Sequence, residues 1–235
     1  MNIILDYFKG IIEELPNLLE TTKPVVFFQE GNFRISSTVT TTWLVMLIIF
    51  IFVMIITSKL EKIPTTRRQA VAEGITMFLY NFISGIIGTK AKRFYGTLGS
   101  FFIVILVMNF MWVIPTFTSP TASYSTTFAL AIIGYLYVQY SIIKEKRILG
   151  YLKGYIEPNP FMIVGNLTSI VAIPLSLSMR LFGNMFSGKV LDSIVMIAIP
   201  LLVPIIFILL SILASAIQAY VFTLLLTMFT SEGIE

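Results

Sequence analysis

Arg180 and the polar residues spaced around it are where this chain could do chemistry. The arginine lies inside an apolar tract over about 160–229, in the string Pro174-Leu175-Ser176-Leu177-Ser178-Met179-Arg180-Leu181-Phe182-Gly183-Asn184-Met185. A guanidinium keeps its proton in a protein, and holding one inside hydrocarbon costs about 3 kcal/mol or more. Such a charge needs an anionic or dipolar counterpart, and the chemistry it suits is control of ions crossing a membrane. Asn184 comes four residues later, on the same helical face. Ser176 and Ser187 extend that face, and Gly183 keeps it narrow. Further on, Ser211, Ala214, Ser215, Gln218 and Thr223 form a second small, polar stripe.

If the two stripes belong to an antiparallel helix pair that turns between Pro200 and Pro204, Arg180 and Gln218 fall at similar depth. The glutamine carbonyl can then accept from the guanidinium and steer it without neutralising it. Lys189 and Asp192 are the other charges of the ascending segment. Taken singly, the serines and alanines need mean no more than close packing of two membrane helices. That reading does not reach Arg180, because structural arginines in membrane helices sit near the ends and snorkel, whereas Arg180 is 20 residues from both Pro160 and Pro200.

The elements that must position these groups follow from composition. The chain has 235 residues, 57% hydrophobic and 12% charged, against about 25% charged in a soluble domain. Several apolar runs reach the roughly 20 residues that a helix needs to cross a bilayer. None alternates apolar and polar residues as a barrel strand does. The expected fold is an all-α polytopic membrane protein forming a single membrane domain. Spans are expected over 38–57, over 94–114 with Pro115 closing it, and over 127–143. Residues 65–88 carry Ala70, Ile75, Phe78, Leu79, Phe82, Ile83 and Ile86 near helical spacing behind Arg67, Arg68, Gln69 and Glu73. They read as an amphipathic helix at the interface, with Glu73 solvated.

The last two helices, over 160–199 and 205–230, form a long hairpin. The first of them would run on the order of 55 Å at about 1.5 Å per residue, well beyond a hydrocarbon layer of about 30 Å. It must tilt, bend or break, and Pro174 is the candidate bend.

Lysine and arginine counts set the orientation. Residues 1–34 hold three basic groups against five acids, residues 59–93 hold seven basic groups, 115–126 hold no charge, and 144–157 hold four basic groups. The N-terminal segment, 1–37, is therefore expected outside and the C-terminus inside. Its opening is acidic-leaning and amphipathic, unlike a signal peptide. Lys144, Lys146 and Arg147 suit anionic lipid head groups or neighbouring subunits. The chain has no cysteine and no histidine, which removes disulfides, thiolate metal sites and the usual neutral-pH proton shuttle. No metal site or cofactor is expected, and the net charge of +4 bears on orientation, not on nucleic acid.

The string around Arg180, with Asn184, with Gln218-Ala219 in the last helix and with Asn109 and Pro115 at the end of the second span, resembles subunit a of the rotary F-type ATP synthase. The resemblance covers most of the chain. It implies five membrane helices and an interfacial helix, the last hairpin lying against a ring of c subunits, with peripheral-stalk b subunits as further partners and a bacterial plasma membrane as the location. It also implies a non-catalytic subunit that offers two offset half-channels to the ring carboxylates, with Arg180 between them and Asn184 and Gln218 beside it. A glutamate that many members carry nine residues after the arginine, and a histidine on the last helix, are here Lys189 and Ser211. The usual proton relay therefore does not transfer, and against that pattern Asp192 reads equally as the structural ion-pair partner of Lys189 or as the outer-channel acid. Ser187, Ser211, Ser215, Asn184 and Thr223 offer oxygens that suit sodium as well as hydrated proton transfer, so the transported ion stays open between H+ and Na+. A secondary transporter would carry paired repeats and broken helices, and a membrane anchor would need neither Arg180 nor Gln218.

Overall fold

The computed structural model describes residues 26–30, 33–57, 66–114, 117, 119–156, 162–198 and 203–234. Ahead of the first span lies an antiparallel hairpin of β1 (Val26–Glu30) and β2 (Phe33–Ser36), an element that the sequence reading had not assigned. Helix α1 (Ser37–Thr57) follows directly. Its 21 residues rise about 30 Å, the thickness of the hydrocarbon layer. Only Ser37, Thr41 and Val45 are buried, while Trp43 and Phe50 are 62% and 63% exposed. A helix apolar all round with one buried edge belongs in lipid. The hydroxyls of Thr41, Thr42 and Thr57 donate to carbonyls four residues back, which satisfies them where no water is at hand.

Helix α2 (Arg67–Ile87) matches the expected amphipathic element. It buries Leu79 and Ile83 and packs against α1, α3 and α6. Glu73 is not merely solvated, since the Gln69 amide donates to its carboxylate at 2.8 Å. Gly88 closes α2 at φ 71°, a conformation that costs a residue with a Cβ, and a short 3-10 turn (Gly88–Lys90) leads into α3 (Ala91–Phe110). A second 3-10 turn (Met111–Val113) ends that span, and a third (Pro120–Ala122) precedes α4 (Tyr124–Ile156). The third span is longer than 127–143, with 24 residues over Tyr124–Arg147. At Arg147 the helix breaks, with φ 60°.

The long hairpin is α5 (Met162–Ala198, 37 residues) and α6 (Val203–Ile234, 32 residues). Pro174 lies inside α5. The expected turn over 200–204 is partly corrected. Pro204 belongs to the first turn of α6, where a missing N–H breaks no hydrogen bond. Pro200 lies outside the described residues.

Among the described residues, five helices are long and apolar enough to cross a membrane. Helix α6 is central, touching α2, α3, α4 and α5, with Phe222 and Leu226 wholly buried. Its buried Thr223, Thr227 and Thr230 each donate to a carbonyl one turn back. One end of the bundle is tied by charge. Lys90 and Arg93 hold Glu145 at 3.2 and 2.7 Å, Lys90 donates to the Ile234 carbonyl at 3.4 Å, and Ser231 donates to that of Ile86 at 3.2 Å. Gly233 there packs directly on Ile142, leaving no room for a side chain.

Candidate functional site

The middle of α5 has two unlike faces. Leu177, Ser178, Leu181 and Met185 are buried. Leu175, Ser176, Met179, Arg180 and Ser187 are exposed. Arg180 therefore stands on the surface of the bundle, about halfway along its longest helix. Lys90 and Arg93 pair with Glu145, whereas Arg180 takes part in no ion pair among the described residues. A Cβ added at Gly183 would meet nothing within 4 Å, so the surface beside the guanidinium is open.

Two contacts set how α5 and α6 lie against each other. The Asn184 amide donates to the Ala214 carbonyl at 3.3 Å, and Gly188 faces Ser211, whose hydroxyl an added Cβ would meet at 3.9 Å. One turn from the first contact, back along α5 and onward along α6, Arg180 comes level with Gln218. The two differ in burial. Gln218 is 6% exposed, and its amide nitrogen is buried with no hydrogen-bond partner. The expected hydrogen bond between Gln218 and Arg180 is not formed among the described residues.

Beyond Asn184 the two helices part around a cavity of about 270 Å³, lined by Asn184, Ser187, Lys189, Asp192, Ser211 and Ser215, with Trp112 and Ser119 closing it from the uncharged connection. The residues suggested by sequence as channel lining are thus brought together here. The Ser211 hydroxyl donates to Asp192 at 3.5 Å, Ser215 donates to the Ser211 carbonyl at 2.7 Å, and Ser187 to that of Asn184 at 3.2 Å. The structural Lys189–Asp192 pair is not among the ion pairs of the described residues. Thr223 does not join the site, since it is buried against its own helix.

A buried polar cluster that the spacing did not reveal backs this cavity. Asn109 is fully buried. Its amide donates to the Ser215 carbonyl at 3.1 Å and its oxygen accepts from Thr121 at 2.8 Å. Ser119 lies 2.6 Å from the Thr121 hydroxyl and donates to the Met108 carbonyl at 2.9 Å. The signal was a lone asparagine in an apolar span, which must find partners or go unsatisfied.

A second cavity, of about 490 Å³, opens at the other end of the bundle among Tyr135, Gln139, Lys146, Tyr151, Ser169 and Glu232. The Tyr151 hydroxyl donates to Gln139 at 2.9 Å across it. None of these residues had been singled out as part of an ion path. Along α5 the second cavity takes in Ser169 and Ile173, the first begins at Asn184, and Arg180 falls between and lines neither. Among the described residues no cluster of histidine, cysteine or acids could hold a metal ion.

With five helices among the described residues long and apolar enough to cross a bilayer, the fold defines a multi-pass membrane protein. Comparison with known proteins agrees. The family model described as ATP synthase A chain matches residues 39–231. The chain is 37% identical to ATP synthase subunit a of Moorella thermoacetica over 203 residues, 86% of this chain and 93% of that one. It is 35% identical to ATP synthase subunit a of Legionella pneumophila, covering 88% and 90% of the two chains. Against ATP synthase subunit a 2 of a Picosynechococcus species it is 34% identical, covering 91% and 92%. The chain belongs to the ATP synthase A chain family, which makes it a membrane subunit of an assembly and not an enzyme by itself.

Proposed function

We propose that this chain is the ion-translocating stator subunit of an F-type ATP synthase, that its two cavities are offset half-channels, and that Arg180 separates them against a c-subunit ring. The observation that carries the reading is the place of Arg180 between the two cavities, exposed on a face with open space at Gly183. Each ring subunit presents one carboxylate at mid-membrane. An ion enters one cavity, binds a ring carboxylate, travels with the ring for most of a turn, and leaves by the other cavity. A carboxylate arriving beside Arg180 meets a fixed cation, which favours its charged form and so drives off the ion. The same charge opposes direct leakage between the cavities. One elementary charge crossing 100 mV releases about 2.3 kcal/mol, and a path broken at Arg180 delivers that energy only through rotation.

By the distribution of lysine and arginine, the first cavity opens outside and the second inside, with the C-terminus cytoplasmic in a bacterial plasma membrane. Asn184 and Gln218 border Arg180, while Ser187, Lys189, Asp192, Ser211 and Ser215 line the outer path. Peripheral-stalk b subunits and lipid complete the surroundings, and the ion is H+ or Na+. The test is Arg180→Ala in the whole complex. Gradient-driven ATP synthesis is expected to vanish while the complex still assembles. Wild-type coupling in that variant would overturn the reading.

A further inference from the structure

We propose that the seam between α3 and α4 seats one anionic phospholipid, with its phosphate against Arg93 and Lys144 and an acyl chain along Ile133, Leu136 and Tyr140. The proposal stands apart from the two-cavity reading and does not depend on it.

Helices α3 and α4 both pack against α6, but among the described residues their own backbones stay apart along most of their length. Side chains bridge them at two levels. Arg93 meets Glu145 at 2.7 Å, and the Phe101 and Tyr137 ring centroids lie 6.5 Å apart. Between these levels Thr97, one turn from Arg93, is exposed. Both helices lie within segments long and apolar enough to cross a membrane, so the opening faces lipid. Water finds no partners in hydrocarbon, and an acyl chain is what fills such a seam.

The α4 wall suits a chain that ends in a head group. Ile133, Leu136 and Tyr140 are each more than half exposed. They follow one another at three- and four-residue steps and lead to Lys144, which is also exposed. From Ile133 to Lys144 the helix rises about 16 Å, close to the roughly 15 Å of hydrocarbon in one leaflet. At the end of this row the Lys144 ammonium lies 5.6 Å from the centre of the Tyr140 ring, and tyrosine is enriched at head-group depth.

Charge names the lipid. Lys90, Lys92 and Arg93 stand around the start of α3, and Lys144, Lys146 and Arg147 stand opposite on α4. The acids described at this end are Glu145, shared by Lys90 and Arg93, and Glu232, which lines the second cavity with Lys146. Lys92, Lys144 and Arg147 are exposed and form no ion pair among the described residues. A zwitterionic head leaves this excess of cations in place, whereas a head with net negative charge offsets it. Arg93 gives one N–H to Glu145 and keeps others for a phosphate oxygen.

The experiment places the assembled complex in nanodiscs of phosphatidylcholine with a minor share of phosphatidylglycerol. The chain has no cysteine, so a photoreactive group attached at Thr97→Cys marks what fills the seam, and mass spectrometry of the adduct identifies it. Phosphatidylglycerol is expected in excess of its share by about tenfold, and the excess should shrink as salt is raised. Lys92→Gln with Lys144→Gln, added to Thr97→Cys, leaves both Glu145 pairs intact and should remove most of that excess. Capture of the two lipids in proportion to their supply would overturn the proposal, as would an excess untouched by the two charge changes. Capture of a peripheral-stalk subunit in place of lipid would overturn it too, and would assign the seam to a protein partner.

Discussion

The two ends of the bundle that hold the cavities are tied together by different forces. The first is backed by uncharged groups, with Asn109, Thr121, Ser119 and the Ser215 carbonyl bonded to one another and the three side chains almost wholly buried. The end that holds the second cavity is tied by ions, with Glu145 between Lys90 and Arg93, whose side chains are 48% exposed. Deep in a bilayer every polar group must find a protein partner, and a neutral network manages this without burying charge. At the rim water screens the charges, so an ion pair costs little to keep and contributes little. The difference teaches where each end is vulnerable. The first end depends on hydrogen-bond completeness and the second on salt-sensitive contacts. Arg180 belongs to neither scheme, being charged and exposed at mid-helix.

The largest expected effect is that of Arg180→Ala, which on the proposed reading removes the barrier between the two ends. Coupling should be lost while ATP hydrolysis by the assembled complex persists, measured as uncoupled hydrolysis without ion pumping. Persistence of pumping would erase the distinction between the ends. Next comes Gln218→Leu. Its amide nitrogen has no partner, so the change should impair coupling several-fold without destabilising the complex. A variant that fails to assemble would show that Gln218 is structural instead.

Asn109→Leu sharpens the contrast directly. It leaves the Thr121 hydroxyl and the Ser215 carbonyl short of a partner, at a cost of about 1–3 kcal/mol. Thermal stability of the complex should fall, with loss of coupling, and the effect should not depend on salt. The smallest effect is expected of Glu145→Gln at the other end, within about 1 kcal/mol and fading as salt is raised. If Glu145→Gln proved the more damaging of the two, the assignment of forces to the two ends would be reversed.

Much of this was legible beforehand because membrane constraints are severe. The length of α1, the amphipathic character of α2 and the 37 residues of α5 follow from apolar run lengths and turn residues. The grouping of Asn184, Ser187, Ser211 and Ser215 followed from helical spacing and an assumed hairpin, and Asp192 joined them through the family resemblance. Other features resisted for physical reasons. Pro204 reads as a turn residue, yet a helix accepts proline in its first turn. Tyr151 meets Gln139 because α4 breaks at Arg147, and Lys90 meets Ile234 because the turn before α3 and the end of α6 converge.

What the sequence by itself determined is the class, the spans and the arginine, since hydrocarbon admits only helices that satisfy their own backbones and tolerates a buried-depth cation only for use. What the tertiary structure alone decided is which way the side chains turn. Arg180 is exposed and Gln218 buried at a shared depth, and the polar groups are divided between two cavities with the arginine in the interval. Spacing along one helix gives depth and face, but whether a face meets a neighbour or open space depends on how all the helices pack.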